Sequence, residues 1–176
     1  MRMAAAALPA DPALDLAELF RRHHLELVRL AVLLVRSQET AEDIVQDVFA
    51  RIHGRPRRGL DPDGALAYLR QAVINGCRSA GRRQAVVHRA RGLREFSSAE
   101  THESAEASAL RSETRQTVLA ALAALPLRRR EVLVLRYYLG LSEAEIARTL
   151  GISAGAVKSA AARGITALAE ALGEDS

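Results

Sequence analysis

Apolar positions along the chain recur with a helical period, and nowhere do they alternate as a strand's would. "LELVRLAVLLV" (Leu25 to Val35) is apolar almost all round, which predicts a helix buried between neighbours. Behind Thr40 and Asp43, a plausible capping pair, Ala41, Ile44, Val45, Val48, Phe49 and Ile52 recur at i, i+3, i+4, i+7, i+8 and i+11. They predict an amphipathic helix whose other face carries Glu42, Asp43, Gln46 and Asp47, with Glu39 just ahead. "HGRPRRGLDPDG" has loop composition. A third helix is expected over roughly Ala65 to Arg83, burying Leu66, Leu69 and Val73, with Gln71, Asn75, Arg78 and Arg82 along a separate face.

The pattern then lapses. "EFSSAETHESAEASALRSE" is rich in Ser, Ala and Glu and holds almost no large apolar residue, so it reads as a flexible polar linker. Periodicity resumes with Val118, Leu119, Leu122 and Leu125 before Pro126, and "RREVLVLRYYLGL" predicts a further helix. Ser142 and Glu145 have capping-box spacing ahead of Ile146, Ala147 and Leu150. Gly151 stands where a helix end favours a left-handed residue, and Ser153 can cap a last helix that buries Val157, Ala161 and Leu168. The fold class is all-α: two small helical modules joined by the polar linker, the C-terminal one holding a helix-turn-helix. The boundaries are a disordered tail at 1–14, a first module at 15–90, a linker at 91–113 and a second module at 114–172.

Composition supports helices, since aromatic residues are only 3% and the core must come from Ala, Leu, Val and Ile. The net charge of +4 permits a polyanionic partner without requiring one. From Arg51 to Arg94 there are eleven Arg against two Asp, after which the sign reverses. Lys158 is the sole lysine, which the codon bias of a GC-rich genome explains. Cys77 is alone, so there is no internal disulfide and no cysteine metal knuckle, and a reducing cytoplasm fits. The start, "MRMAAAALPADPALD", is too short an apolar run for a signal or a membrane span.

The helix-turn-helix at Leu141 to Gly164 has the form of a DNA-reading unit, whose second helix enters the major groove. With Val157, Ala161 and Leu168 inward, Lys158, Ser159, Ala162 and Arg163 face outward. An αα-hairpin that only packs has the same pattern. Catalysis finds no support: there is no phosphate-binding Gly loop and no nucleophile elbow. His23 and His24 are adjacent and point apart, and His53 has no second Glu-x-x-His pair, so no metal and no cofactor is expected.

"LPLRRREVLVLRYYLGLSEAEIARTLGISAGAVKSAAARG" resembles region 4 of bacterial sigma factors. "AEDIVQDVFARI" resembles their helix 2.2, and "YLRQAVINGCRSAGRR" their regions 2.3 and 2.4. Both modules in this order, with only a linker between, are the layout of the extracytoplasmic-function (ECF) sigma factors, and the wording is most like the actinobacterial SigE-like subfamily. The resemblance covers about residues 15 to 172.

That resemblance implies a non-enzymatic, cytoplasmic factor that binds core RNA polymerase at the β′ clamp and the β flap and directs initiation at promoters. It implies polymerase docking by Glu39, Glu42, Asp43, Gln46 and Asp47, an acidic stripe suited to a basic coiled coil. It implies recognition and opening of the −10 element by Tyr68, Gln71, Asn75, Arg78, Arg82 and Arg83. Contacts to the −35 element fall to Ser142, Ser153, Lys158, Ser159, Ala162 and Arg163. An anti-sigma factor is a candidate further partner, and no membrane insertion is implied. The chain departs from the family at Tyr68, where Trp is frequent, and at Ser79, where Asp is. It also has Ala156 and Ala160 where Thr and Arg are frequent, which predicts weak −35 binding by the isolated second module. Two rivals are a LuxR-type regulator, which needs a βα receiver domain ahead of its helix-turn-helix, and a helical adaptor with no DNA role.

Overall fold

The computed structural model describes residues 16–53, 62–91 and 107–173. The expected N-terminal tail and most of the expected linker lie outside the described residues. Among these residues the structure is helical, with no strand. Helix α1 is Leu16–Val35, α2 is Gln38–His53 and α3 is Pro62–Arg91. Helix α4 is Ala107–Ala124, and α5, Leu127–Leu133, runs into a π-helical turn at Val134–Tyr138. Helices α6, Glu143–Leu150, and α7, Ala154–Leu172, complete the second module.

Several boundaries differ from the sequence expectation: α1 starts at Leu16 rather than Leu25, and α3 at Pro62 rather than near Ala65. Residues 107–113, expected as linker, are the first two turns of α4, and α3 continues to Arg91 rather than ending near Arg83. Both stretches lack an apolar stripe, so periodicity could not mark them. They are nonetheless rich in Ala and Arg, which favour helix. A further difference is a cap: Ser37, not Thr40, starts α2, its Oγ accepting the Thr40 amide at 3.2 Å. Just before it, Arg36 adopts φ +66° and ends α1, a left-handed position more often filled by Gly.

In the first module α1, α2 and α3 pack pairwise. Leu27, Leu30, Val45, Val48, Leu69, Val73 and Ile74 form its centre. Leu66 is only half-buried. Gly76 allows α3 to approach α2: a Cβ there would come within 2.6 Å of Ile44 Cγ2. The second module packs α7 on α5, α6 and α4 around Val132, Leu135, Ile146 and Val157. Gly164 lets α7 approach α5, since its Cβ would lie 3.1 Å from Leu133.

Most of the buried apolar residues of both modules belong to one continuous cluster. Helix α1 explains this, because it contacts α2 and α3 of its own module and also α4, α5 and the π-helical turn of the other. Its nearly all-round apolarity is therefore used, except at Leu25, which is 59% exposed.

Candidate nucleic-acid and polymerase interfaces

Helix α2 presents its polar face as expected. Glu39, Asp43, Gln46 and Asp47 are exposed, opposite the buried Ile44, Val45 and Val48. Glu42 is half-buried and accepts a hydrogen bond from Gln38 Nε2 at 2.6 Å. The stripe therefore has four freely presented members and one that lies at its edge.

Along α3, Tyr68, Gln71, Asn75, Arg78 and Arg82 follow one helical stripe, with Arg83 beside it. Asn75, Arg82 and Arg83 are exposed, whereas Tyr68, Gln71 and Arg78 are half-buried. Ser79 works within the stripe: its hydroxyl donates to the Asn75 carbonyl at 2.9 Å and accepts from Arg82 Nη2 at 2.9 Å. Arg78 is different from its neighbours. Its Nε and Nη2 donate to Glu131 Oε1 and Oε2 at 2.5 and 2.9 Å, a forked pair with a carboxylate of the second module. That bond holds the Arg78 guanidinium above its ordinary basicity, against the opposing effect of burial.

The helix-turn-helix follows the sequence reading closely. Ser142 Oγ accepts the Glu145 amide at 3.3 Å, and Glu145 Oε2 accepts the Ser142 amide at 2.8 Å, a complete capping box. The Ser142 hydroxyl also donates to Glu145 Oε2 at 2.6 Å. Hydrogen bonds from the Ser142 hydroxyl and then from its amide hold the Glu145 carboxyl below the usual carboxylate range. Gly151 ends α6 at φ +65°, and Ser153 Oγ accepts the Ala156 amide at 3.2 Å to start α7. Ser142 and Ser153 thus use their hydroxyls as caps.

On α7, Lys158, Ser159, Ala162 and Arg163 are exposed, and Val157 and Ala161 are buried. Leu168 is half-buried. Ala160, where Arg is frequent in the family, is buried. Ala156 is exposed and does leave that turn without a hydroxyl.

Sequence reasoning missed the seam between the modules. Arg130 donates from Nη1 to the Leu34 carbonyl at 2.8 Å, at the end of α1. It also reaches the carbonyls of Leu122 and Leu125, each at 3.1 Å, and that of Ala123, at the end of α4. One guanidinium thus satisfies orphan carbonyls at two helix C-termini, where a positive charge is favoured. Glu131, next to it, is 1% exposed and takes Arg78 together with Arg128 Nη1 at 3.3 Å. The only available signal was a lone acid among the arginines of "LRRREVLVLR".

Comparison with known proteins agrees with this architecture. Residues 19–86 match the family model for sigma-70 region 2, and residues 115–168 match that for sigma-70 region 4. The chain is 37% identical to the ECF RNA polymerase sigma factor SigM of Mycobacterium tuberculosis over 89% of its own length and 76% of the relative's. It belongs to the ECF sigma factors of RNA polymerase. Within them it is SigE-like, being 34% identical to the sigma-E factor of Streptomyces coelicolor over 90% of its length and 86% of the relative's. Among solved structures, the fold of this sigma factor is shared with RpoE of Bartonella quintana, solved with the anti-sigma factor NepR. There the TM-score is 0.74 at 24% identity, covering 92% of this chain and 99% of that one. CnrH, solved with the cytosolic domain of CnrY, gives 0.65 at 26% identity, over 92% of this chain and 89% of that one. A region 2 over residues 19–86 stands where a LuxR-type regulator would need its receiver domain. No described helix of the sigma factor is long and apolar enough to cross a membrane.

Proposed function

We propose that this sigma factor docks on core RNA polymerase through the acidic face of α2, reads and opens the −10 element with α3, and reads the −35 element with α7. The observation that carries this reading is the separation of three polar faces on one helical frame. One is acidic, with Glu39, Asp43 and Asp47 free to meet a basic coiled coil on the β′ clamp. One is basic and amide-bearing, with Asn75, Arg82 and Arg83 exposed to phosphate and to an unstacked base. The third is the small-residue face of α7, where Ala162 lets the backbone approach the groove and Lys158 and Arg163 supply charge. Tyr68 offers a stacking face where Trp is frequent in the family. Ser142 and Ser153 act chiefly through the helix N-termini they cap, whose amides suit phosphate.

Catalysis stays with the polymerase, and the site of action is the cytoplasm, where the β flap would receive the second module. An anti-sigma protein is a further candidate partner by family membership. The test is reconstitution with core polymerase on genomic templates. New promoter-specific transcripts that require the chain are the expected result; transcription indistinguishable from core alone would end the reading.

A further inference from the structure

The described conformation is closed. Helices α4 and α5 and the π-helical turn lie against α1, and α6 lies against α3. Such a globule has a radius of gyration of about 16 Å and is roughly 40 Å across. The −35 and −10 elements are about 25 base pairs apart, or roughly 85 Å of B-DNA. The closed chain therefore cannot occupy both elements at once. Residues 92–106 reach at most about 50 Å when fully extended, which is enough for the modules to separate along the duplex.

What holds them together is specific. Arg130 and Glu131 are consecutive on α5 and grip two different elements of the first module, Arg130 the end of α1 and Glu131 the middle of α3. Glu131 is a fully buried carboxylate whose charge is met by Arg78 and Arg128. Arg78 belongs to the stripe of α3 assigned above to promoter DNA.

We propose that the Glu131–Arg78 pair is an autoinhibitory latch, in which the −35 module keeps a −10-reading guanidinium occupied until the modules part. Resting on the promoter reading, this makes opening and −10 contact a single event: Arg78 can hold the Glu131 carboxylate or a DNA phosphate, not both. The forked geometry suits either anion. Losing Arg78 leaves the buried Glu131 carboxylate with Arg128, and losing Glu131 leaves the half-buried Arg78 guanidinium without its forked acceptor, so the closed form is disfavoured in either case.

The chain carries its own reporter. Cys77, its sole cysteine, is buried in α3 next to Arg78, in the cleft that Leu127, Arg128 and Glu131 close from the other module. The experiment uses the full chain without polymerase or DNA. Glu131→Gln and Arg78→Gln remove the latch from opposite modules, and the double variant R78E/E131R restores it with the charges exchanged. The readouts are radius of gyration by small-angle X-ray scattering and the alkylation rate of Cys77, with circular dichroism as folding control. Each single variant should keep its helical signal, expand measurably, and label Cys77 at least about tenfold faster. The open-to-closed ratio should rise on the order of a hundredfold. The exchanged pair should return both readouts towards wild type. A folded Arg78→Gln or Glu131→Gln that stays compact and labels slowly overturns the latch. So does an exchanged pair as open as the single variants. If Glu131→Gln loses helix, Arg78→Gln, which leaves α5 intact, decides alone. Failure of promoter-specific transcription would instead count against the sigma reading and leave these measurements standing.

Discussion

Gly76 and Ile44 bring α3 and α2 into closer contact than any side chain at position 76 would allow. A Cβ on Gly76 would lie 2.6 Å from Ile44 Cγ2. Gly in a helix interior ordinarily costs about 1 kcal/mol relative to Ala. Here Gly76→Ala gains that term but must push α2 or the Ile44 rotamer aside, and overpacking costs about 1–3 kcal/mol. The clash should win. Chemical denaturation should show a net loss of stability for Gly76→Ala, and a gain would mean the α2–α3 contact is looser than described.

The cap of α6 gives a prediction with a pH sign. Ser142→Ala removes the acceptor for the Glu145 amide and should cost about 1 kcal/mol. The Glu145 carboxyl is held below its ordinary range by the Ser142 hydroxyl first and the Ser142 amide second. A carboxyl depressed in the folded state stabilises fully above its unfolded pKa. It loses that contribution as the pH falls through its folded value. The stability gap between wild type and Glu145→Gln should therefore be constant near neutrality and close in acid. Denaturation midpoints measured from pH 7 downward check this; a gap that widens in acid contradicts the capping-box account.

Much of this was legible because the signals were local. The stripe of α2 is one helical face read every three or four residues, and the Ser142–Glu145 box, the Gly151 end and the Ser153 cap each lie within a few residues of chain. What escaped was non-local or lacked a stripe. Arg78 and Glu131 are 53 residues apart in sequence, and nothing in the surroundings of either names the other. The family resemblance, with its place on the helical stripe, puts Arg78 on the DNA face, and that position also faces α5. Ala160 sat one place from the inward-facing Ala161, and a period of 3.6 leaves such neighbours ambiguous. The first turns of α4 and the last of α3 carry no apolar face, so only helix propensity could mark them.

Helix α2 predicts how polymerase binding should fail. Asp43 and Asp47 are exposed on one face, one turn apart, so Asp43→Lys with Asp47→Lys reverses the stripe without touching the core. Glu42 is a poorer choice because it is half-buried beside Gln38. The double reversal should abolish co-purification with core polymerase while leaving the circular dichroism spectrum unchanged. Wild-type recovery of polymerase would remove α2 as the docking surface.

Burial of Cys77, with a smaller contribution from the Glu131 charge, pushes its thiol up to about 12. The reactive thiolate is then scarce at any ordinary pH, so alkylation of the native chain should be slow at pH 8 and accelerate in denaturant. Because the folded value lies above the ordinary 9.0, the thiol's contribution to stability is complete below pH 9 and declines only as the pH climbs towards 12. Fast labelling of the native wild-type chain at pH 8 would contradict the closed seam.

The reading helix allows the sharpest separation of roles. On α7, Lys158 and Arg163 are exposed on the face opposite Val157 and Ala161, so either can be truncated without disturbing the core. Arg carries a fork that can meet guanine or phosphate through two bonds, whereas Lys is a point charge. Arg163→Ala should weaken −35 binding by about 1–3 kcal/mol and, where the contact is to a base, relax the preference at one position. Lys158→Ala should weaken all sequences alike and lower the salt dependence by about one ion. Ala161→Arg is the folding control: a guanidinium forced into the core between α7 and α5 has no partner, so the module should lose its helical signal. The measurement is holoenzyme affinity across salt on a library of −35 sequences, with circular dichroism alongside. Unchanged affinity in both alanine variants would mean that α7 does not read the promoter, even if the rest of the fold is as described.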